Sequence, residues 1–490
     1  MRKWGYFFCI LFLGILASSL YAFDKQEARL KTLQKDLDEI LASRSVRSAQ
    51  VGVYVVSLRQ EDGIIYAKNQ EKSFIPASCM KLFTSAAALD TLGSNYTFKT
   101  NIYAKGIIDA QGVLHGDLII RGSGDPSISG RYRNRKVTAI PEDLADQLLA
   151  TGIRKIQGNL IADASYFDKQ ELGWGWSHDY LDAWYAARVA ALSFNDNCID
   201  AYVSGNDKVG EPAIIRFDPP TNYATAINKI TTTKRGTRAS IRWDWIPNTR
   251  QIEFRGTVPV RSGAILHYIA VDNPTMFALT VLKETFARKG IQITGQLFDI
   301  QQPLPSPITP EFRVVASYAS PELGVLMKKV NKNSQNFFAE QLLKTTGAVK
   351  YQSGTYDAGV KAVQSLMQRA KIDMEGFEQV DGSGLSAYNQ VTPEQMVGIL
   401  KYMYRHAYNQ TYYDSLSIPG VDGTLRSRFR NLSSRMRGKT GSIKMVSSLA
   451  GYLTTKHDEP IAFAILFNNI PNHWSAIVAE DKIVNRLAEF

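Results

Sequence analysis

Two pairs of strand-like segments stand near opposite ends of the chain. QVGVYVVSL and GIIYAKN follow an amphipathic helical segment, Lys25 to Leu41, whereas SLAGYLTT and IAFAILFNN lie close to the C-terminus. These segments are short and rich in β-branched and aromatic residues, which is typical of strands. A strand must bury its apolar face against neighbouring elements, so we expect the four to pair in one antiparallel sheet. The chain would then leave this sheet and return to it.

The sequence between the two strand pairs changes character twice. Residues 95–301 show short strands separated by Gly, Asn and Pro turns, whereas helical periodicity returns over 320–410, after the proline-rich stretch QQPLPSPITPE. A chain of 490 residues also exceeds what one hydrophobic core usually organises. We therefore predict a split domain, residues 23–94 plus 302–490, with inserted domains over 95–301. A nested subdomain is expected at about 101–162.

The N-terminus, residues 1–22, is predicted to be a secretory signal peptide. Arg2 and Lys3 precede an apolar stretch from Tyr6 to Leu16, and small residues lead to Ala22. An uncleaved anchor is the alternative. No later apolar run approaches the roughly 18 residues of a membrane span, so we expect an exported, soluble protein that is periplasmic or extracellular.

The net charge and the residue types limit which binding partners and cofactors the protein is expected to have. Removal of residues 1–22, which hold two cations and no acid, lowers the formal net charge from +11 to +9. This favours anionic polymers or headgroups and leaves a peripheral membrane contact open, whereas the scattered cations argue against nucleic acid. No histidine or cysteine stands in a zinc-ligand pattern, so no metal or cofactor is predicted. Cys79 and Cys198 are expected to be buried free thiols.

The segment IPASCMKLFTSAAALDTLG places Ser78 and Lys81 three residues apart at a predicted helix start. At this spacing the hydroxyl and the amine lie on one helix face, within hydrogen-bond reach. A lysine can activate a serine nucleophile if burial destabilises its ammonium form, and the apolar run from Leu82 to Leu89 offers that burial. An ordinary buried helix is the alternative, because a chain this long holds about one or two Ser-x-x-Lys spacings by chance.

Two further segments contain hydroxyl, amide and amine groups. GKTGSIK precedes a predicted strand, so Lys439, Thr440 and Ser442 would lie at its start or along its edge, where a peptide carboxylate could bind. NKNSQNFFAE places Ser334 and Asn336 between two predicted helices. Taken separately, a plain strand start and helix capping by Ser334 explain these segments as well. In this order, however, the three segments form the motif set of serine β-lactamases and penicillin-binding proteins.

With these motifs and with GSGDPSIS, LIADASYFD, DGSGLS and GVDGTLRSR, the sequence closely resembles the D-alanyl-D-alanine carboxypeptidase/endopeptidase family of low-molecular-mass class C penicillin-binding proteins, peptidase family S13. The resemblance covers nearly the whole chain after the predicted signal. It implies an α/β (α+β) fold: a penicillin-binding-protein/β-lactamase-like transpeptidase domain, with an antiparallel sheet between helices, carrying a large strand-rich insertion of one or two small domains. The 256 positions from Ser78 to Ser334 (334 − 78) match the insertion of this family.

The resemblance also implies site residues. The implied catalytic residues are Ser78, Lys81, Ser334 and Lys439. The implied substrate-binding residues are Asn336, Thr440, Gly441, Ser442, Asp179, Trp184 and Lys444. Ser78 would be the acylated nucleophile and Lys81 its base, while Ser334 and Lys439 would carry a proton to the leaving D-alanine. Asn336 would hold the substrate amide, Thr440 and Ser442 would bind the terminal carboxylate, and the backbone N–H groups of Ser78 and Ser442 would form an oxyanion hole.

The sequence departs from the family pattern at two places near the stem-peptide side chain. Relatives commonly have an arginine after DGSGLS and often a glutamine three residues after Lys-Thr-Gly, where this chain has Ala387 and Lys444. We hypothesise that Lys444 takes over the cationic contact of the missing arginine. Within LGWGWSHDYLDAWYAA, Asp179 is a candidate for the side-chain amino group and Trp184 for an apolar wall. A capping aspartate and a packed tryptophan remain the alternatives.

The resemblance implies a serine peptidase that cleaves D-Ala-D-Ala ends and D-Ala-diaminopimelate cross-links of peptidoglycan through an acyl-enzyme. Its partners would be stem peptides and β-lactam antibiotics, with penicillins trapped as slow substrates. The first alternative is a β-lactamase, although such enzymes are much shorter and lack the insertion. The second is a catalytically silent peptidoglycan-binding protein, which would have little reason to keep all three motifs.

Overall fold

The computed structural model describes residues 27–60, 63–130, 134, 136–300 and 311–490. The predicted signal peptide and nearly all of the proline-rich stretch lie outside the described residues. Over the described part of the chain, no helix has the length and apolar character needed to cross a membrane.

The secondary structure follows in chain order. The strands are β1 Gln50–Ser57, β2 Ile64–Lys68, β3 Lys99–Ile108, β4 Val113–Arg121, β5 Lys155–Ile156, β6 Leu160–Asp163, β7 Cys198–Ser204, β8 Ile214–Asp218, β9 Thr225–Thr233, β10 Ser240–Trp245, β11 Gln251–Pro259, β12 Ile265–Ala270, β13 Gln292–Ile293, β14 Leu297–Ile300, β15 Phe312–Ala319, β16 Met436–Ile443, β17 Val446–Thr454 and β18 Pro460–Asn468. The helices are α1 27–42, α2 Lys81–Leu92, α3 Ala139–Ala150, α4 Pro274–Arg288, α5 Leu323–Asn331, α6 Asn336–Tyr351, α7 Tyr356–Arg369, α8 Pro393–Tyr404, α9 Asn409–Ser415 and α10 His473–Ala488.

The two ends of the chain form one five-stranded sheet, as the strand patterns predict. Its order is β16-β17-β18-β1-β2, and every neighbouring pair is antiparallel. The strand that carries Lys-Thr-Gly, β16, is therefore at an edge of this sheet. An edge strand leaves one row of backbone N–H and C=O groups without a neighbouring strand.

Alternating side chains along β18 bind the sheet to helices on both faces. Ile461, Phe463 and Ile465 pack into a core with α1 and α10, whereas Ala462 and Ala464 face a second core with α2 and α5 to α9. This alternation is the two-residue period of an extended strand. Small alanines on the second face let α8 approach the sheet closely. The predicted fold class is confirmed.

The inserted segment builds three more sheets: a seven-stranded one that contains β3 to β6 and β13 to β15, and two three-stranded ones, β10-β11-β9 and β12-β7-β8. The pairing crosses the predicted boundary at residue 302. Strand β15, which lies inside the predicted range 302–490, pairs with β3, and its apolar residues join the core of the insertion. Strand β6, at the end of segment 101–162, pairs with β14; the nested subdomain at about 101–162 stays a prediction.

Helix α6 joins the insertion to the split domain and positions the site. Its residues from Asn336 to Gly347 are all buried. Towards the insertion, Gln341 Nε2 donates to the Ala190 carbonyl at 3.0 Å, and the Lys344 ammonium lies 2.5 Å from Asp168. Buried polar groups need such partners, so these contacts fix the helix against the insertion.

Candidate active site

Ser78 lies in a single 3₁₀ turn, Ala77–Met80, that runs directly into α2. Two contacts fix this turn to the sheet: Ser448 Oγ donates to the Pro76 carbonyl at 2.6 Å, and Cys79 Sγ donates to the Lys439 carbonyl at 3.2 Å. Ala77 has a φ of 46°, a left-handed conformation that a non-glycine residue keeps only where its surroundings impose it. The packing of the sheet therefore sets the position of Ser78.

Cys79 and Cys198 are buried thiols and not disulfide partners, as predicted. Burial raises the pKa of the Cys79 thiol to about 11, so this group stays protonated. Its position under β16 is a packing position, in agreement with the sequence-based interpretation.

Lys81 is the first residue of α2 and is fully buried. Its Nζ lies 2.9 Å from Ser78 Oγ, 2.7 Å from Asn336 Oδ1 and 2.7 Å from the Ser383 carbonyl oxygen. Burial, and then the nearby Lys439 ammonium, hold the pKa of Lys81 well below its usual range. A neutral amine has two N–H donors and one lone pair. The two donors match the Asn336 and Ser383 oxygens, and the lone pair matches the Ser78 hydroxyl proton. The predicted Ser78–Lys81 contact is present, and α2 is buried through Leu89.

Sequence reasoning missed the two carboxylates behind Lys81. Glu340 Oε2 and Oε1 accept from the backbone N–H groups of Gly382 and Ser383 at 2.6 and 2.8 Å. Asp381 accepts from the N–H groups of Gly384 and Ser386, both at 2.7 Å. Together they hold the DGSGLS loop so that its Ser383 carbonyl faces Lys81.

A local signal for Glu340 existed in the sequence. It follows Asn336 by four residues on a helix, so both side chains lie on the same face. Burial, and then the Asp381 carboxylate, raise the pKa of Glu340 to about 8.

Ser334 stands between α5 and α6 with a φ of 56°. It does not cap α6, because the N-cap residue is Gln335 and no side-chain cap bond forms there. Its Oγ instead accepts from Lys439 Nζ at 2.8 Å. Asn336 contacts Lys81 through Oδ1 and donates through Nδ2 to the Tyr185 carbonyl at 2.7 Å.

Lys439 is in the middle of β16 and its side chain is fully buried. Burial lowers the pKa of its ammonium to about 8. The plain strand start considered for Lys-Thr-Gly does not account for a buried lysine aimed at Ser334. Two buried lysines thus meet two serines within one site.

The open edge of β16 runs beside Ser78. Gly438 exchanges both backbone hydrogen bonds with Ser417 on the outer side, at 3.0 and 3.1 Å. Backbone groups alternate along a strand, so those of Thr440 and Ser442 face this outer side too. Gly441 packs against the turn of the nucleophile: a Cβ there would lie 2.6 Å from the Pro76 carbonyl oxygen and 2.9 Å from the Ser78 nitrogen.

The hydroxyls of β16 have partners on other elements. Thr440 Oγ1 donates to Thr424 Oγ1 at 2.8 Å, and Ser442 Oγ lies 3.3 Å from His473 Nε2. Neither Thr424 nor His473 was singled out from the sequence. Both hydroxyls remain accessible from solvent.

The structure places the three remaining predicted residues at the periphery. Lys444 is exposed in the two-residue turn between β16 and β17. Asp179 is exposed in a 3₁₀ turn that is capped by Ser177 Oγ. Trp184 is 42% exposed and contacts the ring of Tyr185, the residue whose carbonyl binds Asn336. Trp184 therefore adjoins the site, whereas Asp179 lies exposed in a neighbouring turn.

A different tryptophan supports the site from the insertion. Trp176 Nε1 donates to Asp381 at 2.9 Å, and the exposed ring of Trp174 lies 4.3 Å from that of Tyr388. Segment LGWGW thus rests on the DGSGLS loop. The described residues hold no cluster of three or more His, Cys, Asp or Glu side chains suited to a metal ion.

Comparisons with known proteins agree with this geometry. The chain matches the D-Ala-D-Ala carboxypeptidase 3 (S13) family over residues 33–489. It is 30% identical to a D-alanyl-D-alanine carboxypeptidase of Actinomadura sp. (strain R39), over 98% of this chain and 89% of that one. It is 27% identical to the D-alanyl-D-alanine carboxypeptidase DacB of Haemophilus influenzae, over 87% of each chain.

A solved structure shows the same architecture. The crystal structure of penicillin binding protein 4 (dacB) from Haemophilus influenzae superposes with a TM-score of 0.79 at 25% identity, covering 93% of this chain and 99% of that chain. The resemblance seen in the motifs is confirmed along almost the entire length. The protein therefore belongs to the D-Ala-D-Ala carboxypeptidase 3 (S13) family and is a serine hydrolase of the D-alanyl-D-alanine carboxypeptidase class.

Proposed function

We propose that Ser78 attacks the D-Ala-D-Ala bond at the end of peptidoglycan stem peptides and that the bond is hydrolysed through an acyl-enzyme. The observation that carries this proposal is the buried Lys81 Nζ, 2.9 Å from Ser78 Oγ, with two further acceptors at 2.7 Å. In its neutral form the amine donates to Asn336 and to the Ser383 carbonyl, and its lone pair accepts the Ser78 proton. Geometry and a lowered pKa together make it a general base.

In the acylation step, Ser78 Oγ forms a bond to the scissile carbonyl carbon as its proton passes to Lys81. The carbonyl oxygen becomes an oxyanion, which the backbone N–H groups of Ser78 and Ser442 stabilise. An extended peptide pairs with the open edge of β16, and its terminal carboxylate meets the hydroxyls of Thr440 and Ser442. This places the last peptide bond beside the nucleophile.

The leaving amine of D-alanine needs a proton as the C–N bond breaks. Ser334 Oγ delivers that proton and recovers one from Lys439, whose ammonium lies 2.8 Å away. Burial lowers the pKa of Lys439 to about 8, so the group is mostly protonated at neutral pH and can still release a proton. Water then attacks the ester: a proton from the water restores the Lys439 ammonium through Ser334, and Lys81 returns its proton to the departing Ser78 Oγ. The shortened peptide leaves, and Ser78, Lys81 and Lys439 regain their starting protonation states.

The peripheral residues supply the side-chain contacts in this proposal. Lys444 binds a carboxylate of the diamino acid, Asp179 binds its amino group, and Trp184 forms an apolar wall. Cleavage of D-Ala-diaminopimelate cross-links uses the same steps with a larger leaving group. β-Lactams acylate Ser78 in place of the peptide. The protein acts in the periplasm or at the cell wall after removal of residues 1–22, which agrees with a peptidoglycan substrate.

Labelling with a fluorescent penicillin tests the nucleophile, with Ser78→Ala as the variant and Ser94→Ala, at the far end of α2, as its control. We expect labelling to disappear in the first variant alone, together with D-alanine release from a peptide that ends in D-Ala-D-Ala. Persistent labelling of Ser78→Ala would exclude Ser78 as the nucleophile.

A second experiment separates the alternative functions. Purified cross-linked peptidoglycan is digested, and the released muropeptides are analysed for loss of terminal D-alanine and for cleaved cross-links. Penicillin turnover within seconds would favour a β-lactamase. Binding to peptidoglycan without any cleavage would favour a silent binding protein.

A further inference from the structure

An imidazole stands beside the hydroxyl of Ser442. His473 Nε2 lies 3.3 Å from Ser442 Oγ, and both side chains are accessible from solvent. His473 is the first residue of α10, and the preceding Asn472 caps this helix by accepting from the Trp474 N–H at 3.0 Å. The proposed function gives Ser442 the substrate carboxylate but gives His473 no role.

Hydrogen bonds made by the chain before and after His473 hold the imidazole beside Ser442. Before His473, the Ile470 N–H donates to the Met445 carbonyl at 3.1 Å and so fastens the chain to the β16–β17 turn. After it, Glu480 is buried, accepts from Ser447 Oγ at 2.7 Å and pairs with Arg428 at 2.9 Å. These bonds fix α10 against β17 and leave His473 facing the end of β16.

Hydrogen-bond directions decide what this contact does to the hydroxyl. If Ser442 donates to Nε2, its only proton is used and its lone pairs face an incoming carboxylate. If Nε2–H donates to Ser442 Oγ, the hydroxyl proton is free to point at the carboxylate. Only the second arrangement gives the carboxylate a donor, so its arrival selects that arrangement.

The electrostatic surroundings agree with a neutral imidazole that carries a single proton. Partial burial, and then Arg428, lower the pKa of His473 below its ordinary value. At neutral pH the ring therefore exists as tautomers, and the proton can reside on Nε2.

We propose that His473 is a positioning residue for substrate recognition: its Nε2–H donates to Ser442 Oγ and directs the Ser442 hydroxyl proton toward the terminal carboxylate. The inference rests on the proposed function of the site and deepens it. By this inference, His473 makes the protein prefer peptides with a free C-terminal carboxylate to peptides with an amidated end. The chemical step at Ser78 does not depend on it.

The test compares two peptides, one ending in D-Ala-D-Ala and the same peptide with a C-terminal amide, as substrates of full-length variants. His473→Leu removes the donor, whereas His473→Gln keeps an N–H donor. His457→Leu, in the turn between β17 and β18, is the control. For His473→Leu we expect KM for the carboxylate peptide to rise by up to about tenfold, the upper end of what one neutral hydrogen bond contributes, with little change in kcat. The amide peptide should be unaffected, and His473→Gln should restore KM.

A double substitution shows whether His473 acts through Ser442. In a Ser442→Ala background, His473→Leu should cause no further rise in KM. A further rise of the same size there, or an unchanged carboxylate-to-amide ratio in His473→Leu alone, would overturn the inference. Hydrolysis that persists in Ser78→Ala would overturn the proposed function instead, so the two failures are distinguishable.

Discussion

Gly441→Ala should damage the site without touching a reactive group. Ordinary van der Waals contact of a Cβ begins at 3.4 Å, but at this position the Cβ would lie 2.6 Å from the Pro76 carbonyl oxygen and 2.9 Å from the Ser78 nitrogen. The shortfalls are 0.8 Å (3.4 − 2.6) and 0.5 Å (3.4 − 2.9). These two neighbours are backbone atoms, and a third, Ser448 Oγ, would lie closer still to the Cβ and itself donates to the Pro76 carbonyl. The β16 strand and the turn with Ser78 must therefore move apart by at least this amount.

The consequences follow from the size of that movement. Overpacking of this kind costs about 1–3 kcal/mol in the free energy of unfolding. A displacement of Ser78 by half an ångström or more also misaligns its N–H for the oxyanion. A misplacement of about 1 Å can cost about 100-fold in rate, so we expect penicillin acylation to slow between about tenfold and about 100-fold.

The assay is the second-order rate of labelling by fluorescent penicillin, measured beside thermal unfolding. Gly263→Ala is the matched control, because a Cβ at Gly263 meets nothing within 4 Å. Gly263→Ala should leave both the labelling rate and the thermal unfolding unchanged. An acylation rate for Gly441→Ala within about twofold of the unmodified protein would refute the proposed contact between β16 and the Ser78 turn.

Three further predictions concern charge and hydrogen bonding. Because the proton route needs the Lys439 ammonium, kcat/KM should fall as pH rises through about 8. Lys439→Arg keeps the positive charge but cannot give up a proton, so it should lower kcat/KM at every pH and remove that fall; an unchanged rate and pH–rate profile would contradict the relay. Glu340→Gln offers one oxygen to two buried N–H groups, so it should cost about 1–3 kcal/mol in chemical denaturation and slow acylation; unchanged values would refute the role given to Glu340. Lys444→Gln should lower activity on stem peptides with a free diamino-acid carboxylate relative to amidated ones, and an equal ratio in both proteins would exclude that contact.

Local patterns predicted much of the architecture. The four terminal strands and α2 appeared in sequence because apolar periodicity and turn residues are local properties. The pairing of β15 was not predictable in this way. Residues 312–319 lie within the predicted range 302–490, but the partner strand β3 stands more than 200 positions earlier in the chain.

The residues of the candidate site also fall into two groups, those that could be named from the sequence and those that could not. Ser78, Lys81, Ser334, Asn336 and Lys439 could be named from the sequence, since their spacings and order carry a family resemblance. The Ser383 carbonyl and His473 could not, and Glu340 had only its helical spacing from Asn336 as a signal. A backbone carbonyl has no signature in the sequence, and a glutamate or histidine acquires a role only from its neighbours.

The residue types at the site, and many of the strands and helices that carry them, follow from local stretches of sequence. Their distances, burial and pKa values arise only in the folded molecule, because these depend on contacts between segments far apart in the chain. Lys81 meets Asn336 across 255 positions. Burial by helices packed on the five-stranded sheet converts Lys81 from a common lysine into a candidate base, and no local pattern contains that information.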